Sequence, residues 1–281
     1  MVVAPAQSMR IVSWNLLHGQ VIPPLGKQDW QQSLISAAKD VAEHFKPDFI
    51  SLQEVDFMQS RSGNVNQTKL IAESMGLKYW HYLPALLGTP GNSWQKIKSL
   101  ELEAISQNSS DANLRTSYGI GFATNQLVKN VYVKYLGRSL VGMPLIVPRE
   151  NGHGIKFIYV KDEPRVALIA QLANGLTITT THLSFVPGVN VFQLNRLSSF
   201  LKKLPGEQIL VGDLNLIANL PTKLSGFRSL LAQSTYPSWK PSIQFDYIMK
   251  RKSDSITAEG LGRFKPTISD HIPIGVELRF Q

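Results

Sequence analysis

Two short polar clusters stand at the ends of apolar runs. Gly212-Asp213-Leu214-Asn215 follows Gln208-Ile-Leu-Val211, and Ser269-Asp270-His271 precedes Ile272-Pro-Ile-Gly-Val276. The runs have the length and β-branched content of buried strands. A strand that ends in Asp-x-Asn or meets Asp-His delivers carboxylate, amide and imidazole to one rim of a sheet. Those groups suit a hard cation and a proton-transfer pair. Two earlier runs are built alike: Arg10-Ile-Val-Ser-Trp14 leads into Asn15, and Asp48-Phe-Ile-Ser-Leu52 leads into Gln53-Glu54. Four polar strand ends exceed what stability requires and point to an enzyme. Asp213 and Asn215, two apart, share a face of their strand.

The elements that must position these groups alternate in type. Trp30, Leu34, Ala37, Ala38, Val41, Ala42 and Phe45 recur at helical spacing, which predicts an amphipathic helix over Gln28–Phe45 with Pro47 beyond its end. A second helix is expected over Asn66–Met75, stopped by Gly76. A short strand is expected over Tyr79–Leu83, and Leu86–Thr116 reads as irregular. Strands follow at Tyr118–Thr124, Val128–Tyr135, Ile155–Val160, Arg165–Leu172 and Leu176–His182, with Asn174-Gly175 as a two-residue hairpin signal before the last. A helix over Asn190–Lys203 returns to Gln208–Val211. Phe245–Met249 and Ile272–Phe280 close the pattern. Many antiparallel strands with few crossover helices predict two packed sheets flanked by helices.

Composition narrows the classes. The 281 residues fit one large domain, and the absence of cysteine excludes disulfides, thiolate zinc sites and a cysteine nucleophile. No apolar run is long enough to cross a bilayer. The N-terminal stretch lacks the basic and apolar regions of a secretory signal. It reads as a disordered leader over residues 1–8, ahead of a single domain over 9–281, and a cytoplasmic place is expected. The formal charge of +9 suits an anionic partner, nucleic acid or a phospholipid surface.

Six motifs follow in order: Trp14-Asn15, Gln53-Glu54, Thr181-His182-Leu183, Gly212-Asp213-Leu214-Asn215, Asp246-Tyr247-Ile248 and Ser269-Asp270-His271. In this order the chain, from Met9 to Phe280, resembles the endonuclease/exonuclease/phosphatase superfamily, the DNase I-like enzymes. The resemblance implies an α/β fold, a four-layer sandwich of two packed mixed β-sheets flanked by helices. It implies that Glu54 holds a magnesium ion, or manganese in its place, with Asn15 and Asp270 beside it. It implies catalytic roles for Asp213, for His271 with its partner Asp246, and for His182, the second imidazole of the DNase I and sphingomyelinase branches. Arg165 and Asn215 are the substrate-binding residues it implies. Asp213 or His271 is the base on this reading.

The activity implied is that of a divalent-metal-dependent phosphodiesterase, an endonuclease first, acting by in-line attack of water. The expected partner is a phosphodiester, nucleic acid ahead of a phospholipid headgroup, with the chain acting as a monomer. A sphingomyelinase-like enzyme and a catalytically silent module that binds an anionic ligand are the alternatives. The exonuclease III type branch fits less well because His182 stands where that branch departs. The inositol phosphatase branch fits less well because its cysteine-containing segment has no counterpart. Trp94, Lys96 and Lys98, with Lys250 and Lys252, are the aromatic and cationic side chains expected to meet a long polyanion.

Overall fold

The structure is a computed structural model that describes residues 8–23, 29–109, 115–148, 155–251 and 256–280. Residues 1–7 of the expected leader and Lys252 lie outside that set, and Ser8 is already paired with Arg279 in a sheet. In chain order the first elements are β1 (Ser8–Asn15), α1 (Trp30–Phe45), β2 (Phe49–Phe57), α2 (Gln67–Met75), β3 (Tyr79–Gly88), β4 (Trp94–Lys96) and β5 (Ile105–Ser106). Next come β6 (Ser117–Thr124), β7 (Val128–Gly137), β8 (Met143–Pro148), β9 (Ile155–Val160), β10 (Arg165–Leu172) and β11 (Leu176–His182). The last are α3 (Val189–Leu201), β12 (Glu207–Asp213), α4 (Leu220–Ser225), β13 (Phe227–Ser229), β14 (Asp246–Arg251), β15 (Ile256–Gly260) and β16 (Ile274–Phe280).

β8 and β9 pair apart from the two large sheets, of which one has the order β15-β16-β1-β2-β6-β3-β4, with β5 also on β3, and the other the order β13-β14-β12-β11-β10-β7. Each sheet contains one parallel pair, β1 with β2 and β11 with β12. A parallel pair needs a crossover, and α1 and α3 are those crossovers. The Asn174-Gly175 signal does join an antiparallel pair, β10 and β11, and Gly175 has the positive φ of such a turn.

Three apolar layers hold the sandwich. Ile11, Phe49, Phe122, Leu168, Ile178 and Val211 meet between the sheets. Leu34, Val41 and Phe45 of α1 cover Val12, Trp14 and Leu52 on one outer face. Leu194, Leu197 and Leu201 of α3 cover Leu210 and Met249 on the other. The architecture is thus the expected helix–sheet–sheet–helix arrangement. The helix starts are set by side-chain caps: Asp29 accepts from the Gln32 amide at 3.0 Å and Asn66 from the Lys69 amide at 3.1 Å. Among the described residues no helix is long and apolar enough to cross a membrane.

Three expectations need correction. The strand into Gln53-Glu54 does not stop there: β2 runs on to Phe57, and its register against β6 shifts between Leu52 and Val55. Glu54 sits in that bulge at φ 54°, which turns its side chain out of the strand's alternation. The Leu86–Thr116 segment is not irregular throughout: among its described residues β3 extends to Gly88, and β4 and β5 pair back onto it. Trp94 lies 5.5 Å under the Arg138 guanidinium, and the Lys96 ammonium lies over the Tyr135 ring. Lys250 is buried, with Nζ donating to the Ile256 carbonyl, so it is no surface contact for a polyanion.

Gly212 is the tightest point of the second sheet. Its φ is +142°, and a Cβ there would lie 1.9 Å from the Thr181 carbonyl oxygen. Gly212→Ala is expected to lower stability by roughly 2–4 kcal/mol through strain and clash, read as the loss in urea midpoint.

Candidate active site

The parallel pairs put their carboxyl ends at one end of the sandwich. Asn15 closes β1 beside Gln53 of β2, and His182 closes β11 beside Asp213 of β12. Asn15 reaches across the gap between the sheets. Its Nδ2 donates to Glu54 Oε1 and to Asp213 Oδ2, each at 3.1 Å, and its Oδ1 accepts from the Leu17 amide at 3.1 Å. Asn15 therefore holds two carboxylates in place, with its amide oxygen already engaged.

Asp213 is buried and central. Its Oδ1 accepts from the Asn215 amide at 2.9 Å, and Oδ2 lies 3.6 Å from His182 Nε2 and 3.9 Å from His271 Nε2. Burial and the neighbouring charge of Asp246 raise its proton affinity, while His271 and the bonds from Asn215 and Asn15 lower it; the raising side prevails. Asn215 has the left-handed φ of 49° that asparagine tolerates. Its Nδ2 donates to the Leu183 carbonyl at 3.0 Å and lies 3.2 Å from His182 Nε2. The carbonyl contact orients the amide, makes His182 Nε2 the acceptor and puts the ring proton on Nδ1.

The third contribution comes from the loop before β16. Ser269, at φ 75°, donates from Oγ to the Asn15 carbonyl at 2.6 Å and accepts from the His271 amide at 3.0 Å. His271 Nδ1 lies 2.7 Å from Asp246 Oδ2. The two imidazoles are driven apart. Burial opposes the charge on His271, but Asp246, Asp270 and Asp213 outweigh it and hold the ring protonated well above its ordinary range. Burial and then the charges of Arg165 and His271 push His182 well below that range, so it stays neutral.

Arg165 is buried rather than on the surface. Its Nη2 lies 3.8 Å from Asp162 Oδ1 and 4.0 Å from Glu163 Oε2, and its Nε has no hydrogen-bond partner among the described residues. With Tyr118 and His182 it lines one small pocket. Burial raises Glu163 to about 7, against the pull of Arg165.

A hard cation fits this end of the molecule. Burial raises Asp270 to about 6, with Glu54 pushing the same way against His271. Glu54 and Asp270 are partly exposed carboxylates, oxygen donors of the kind magnesium takes, and no basic side chain bonds to either among the described residues. Asp213, Asp246 and His271 also bring ligand atoms within 4.8 Å of one another. There, however, the His271–Asp246 contact is a short hydrogen bond, which suits a proton relay better than a hard cation.

The sequence profile of the endonuclease/exonuclease/phosphatase family matches residues 12–271. The chain belongs to this family. Among solved structures, an endonuclease/exonuclease/phosphatase from Beutenbergia cavernae DSM 12333 is 17% identical, with a TM-score of 0.60 over 98% of this chain and 72% of that one. The mannosyl-6-phosphatase Bt3783 of Bacteroides thetaiotaomicron VPI-5482 is 13% identical, with a TM-score of 0.57 over 97% and 100%. TDP2 of D. rerio, complexed with a single-strand DNA product, is 15% identical, with a TM-score of 0.51 over 98% and 100%. These similarities carry the fold. No curated protein matches the chain.

All nine residues singled out in the sequence lie in this region of the structure. Ser269, which stitches the β16 loop to Asn15, stood in a motif without a role. Tyr236, whose ring packs 5.0 Å from that of His271, gave no sequence signal because its loop has no period. Asp246→Asn should leave the fold intact and remove the carboxylate that holds the His271 proton. The rate on a small phosphodiester is expected to fall about a hundredfold or more, within the range for acid–base groups.

Proposed function

We propose that the chain is a divalent-metal-dependent phosphodiesterase, with nucleic acid as its substrate. The reading rests on one observation: Asn15 gathers Glu54 and Asp213 beside an imidazole pair whose proton affinities are driven in opposite directions. Arg165, buried with an unpaired Nε, is the group that grips the scissile phosphate. Glu54 and Asp270 would hold the metal, which when bound supplies positive charge that offsets what builds on the phosphoryl and leaving oxygens.

Asp213 takes the proton from the attacking water as the water oxygen bonds to phosphorus and the opposite P–O bond breaks. His271, whose proton affinity Asp246, Asp270 and Asp213 raise, is the acid on this reading; held by Asp246, it donates to a phosphoryl oxygen. Neutral His182, its Nε2 accepting from Asn215, lines the β11 side of the site beside Asp213. Asn215, both of whose amide hydrogens are engaged, positions Asp213 and His182 rather than donating to the substrate.

The formal charge of +9 supports nucleic acid as the substrate. One feature favours a lipid surface as the second reading. The arm formed by β8 and β9 and the turn before it expose Leu140, Val141, Phe157 and Tyr159. Hydrolysis of single-stranded DNA, RNA, sphingomyelin vesicles and bis(4-nitrophenyl) phosphate, with magnesium and with chelator, separates the readings. Activity is expected on DNA or RNA and on the aryl diester, and chelator is expected to abolish it. Glu54→Gln should lower kcat/KM by about a hundredfold or more, the loss of several kcal/mol of charge stabilisation. Undiminished activity in chelator contradicts the metal role, and turnover of sphingomyelin alone moves the substrate to the lipid class. DNA affinity should fall on the order of a thousandfold between roughly 50 and 200 mM salt if several phosphates are bound.

A further inference from the structure

Beyond the Glu54 bulge, β2 carries a second carboxylate that the chemistry above does not use. Asp56 is fully buried, and both its oxygens are directed at Arg61. Arg61 Nε donates to Oδ2 at 2.9 Å and Nη2 to Oδ1 at 2.8 Å, while Ser62 Oγ donates to Oδ2 at 2.8 Å. The Asp56 amide is itself held by Gln67 Oε1 at 2.8 Å. This is a bidentate clamp on one edge of a guanidinium. The other edge, Nη1, has no hydrogen-bond partner among the described residues, and 27% of the side chain is exposed.

The clamp fixes where that free edge sits. The guanidinium carbon lies 5.8 Å from the centre of the Tyr118 ring. Tyr118 lines the small pocket it shares with Arg165 and His182. Tyr118 is thus a neighbour of Arg61 and shares a pocket with Arg165, the guanidinium assigned to the scissile phosphate. Burial opposes the charge on Arg61, yet the bonds and charge of Asp56, with Tyr118 and Glu54, hold it more firmly protonated than usual. Burying a carboxylate completely to orient an arginine carries a desolvation cost. Such a cost is expected where a planar donor fork must be held ready for an oxyanion.

We propose that Arg61, held by Asp56, forms a second anion subsite that binds a phosphate next to the scissile one, so that the preferred substrate is a phosphoester carrying an additional phosphate. The subsite rests on the phosphodiesterase reading for the place of the scissile phosphate. The additional phosphate is either the next link of a nucleic acid strand or a terminal phosphomonoester.

The test compares binding and turnover in magnesium buffer. Calorimetry measures binding of a nucleoside monophosphate and the corresponding bisphosphate to the wild type, Arg61→Gln and Arg61→Lys, with melting curves for each. Kinetics compare the dinucleotides TpT and pTpT and the trinucleotide TpTpT. The wild type is expected to bind the bisphosphate about tenfold or more tightly than the monophosphate, as an added charge-assisted pair allows. Arg61→Gln should remove that preference, and Arg61→Lys should keep part of it. The kcat/KM advantage of pTpT over TpT points to a terminal phosphate, and that of TpTpT to a chain phosphate; either should shrink by about the same factor in Arg61→Gln. A wild type with no preference for the second phosphate overturns the subsite whatever the variants do. So does a folded Arg61→Gln protein that keeps the preference. If no phosphodiester turns over while the bisphosphate preference depends on Arg61, the phosphodiesterase reading fails and the subsite stands.

Discussion

The site depends on one side-chain amide that spans two sheets. Glu54 belongs to one sheet and Asp213 to the other, and their negative charges repel. Asn15 Nδ2 donates to both, so the carboxylates share one donor group instead of turning to solvent. That contact requires the sheets to dock at one distance, which the core between them sets through side chains such as Ile11, Phe49, Ile178 and Val211. It also requires Asn15 to stand at the end of β1 beside Gln53, which the parallel β1–β2 pairing and its α1 crossover provide. Ser269 bonds to the Asn15 carbonyl and thereby brings the Asp270-His271 loop to the same point.

Electrostatics then divides the labour. Two buried histidines flank Asp213, at 3.6 and 3.9 Å, yet their proton affinities are driven in opposite directions. The difference lies in their partners. His271 has Asp246 on Nδ1; His182 has an asparagine amide on Nε2 and Arg165 close by. In the proposed mechanism Asp213, between a ring of raised and a ring of lowered proton affinity, takes the proton from water. Glu54, Asn215 and Ser269 all have positive φ, and strained backbone of this kind, common at functional sites, is tolerated because the surrounding hydrogen bonds fix it.

Much of this was legible in the sequence because the carriers are periodic. Apolar spacing located α1, α2 and α3 to within two residues wherever the termini are described. Alternating and β-branched runs located the strands whose ends hold Asn15, His182 and Asp213. Local signals did not carry the rest. Gln53, Glu54 and then Asp56 break the apolar alternation after Leu52, so nothing marked β2 as continuing to Phe57. The β13 strand is three residues long and α4 six, too short for a period to register. Lys250 reads as one of a basic triplet but points inward to a carbonyl of the neighbouring β15. Asp56 and Arg61 are an acid and a base five apart in sequence, and the meaning of the pair appears once Tyr118, from a strand far along the chain, is placed beneath the guanidinium.

A double-mutant cycle between Asn15 and Asp213 tests the central claim. It compares kcat/KM on bis(4-nitrophenyl) phosphate in magnesium for the wild type, Asn15→Ala, Asp213→Ala and the double variant. If Asn15 acts by holding Asp213 against Glu54, the losses are strongly non-additive. With Asp213 gone, removing Asn15 costs far less than it does alone, a coupling of about 1–3 kcal/mol as for residues in one hydrogen-bonded unit. Additive losses, or an Asn15→Ala enzyme as fast as the wild type, would contradict it.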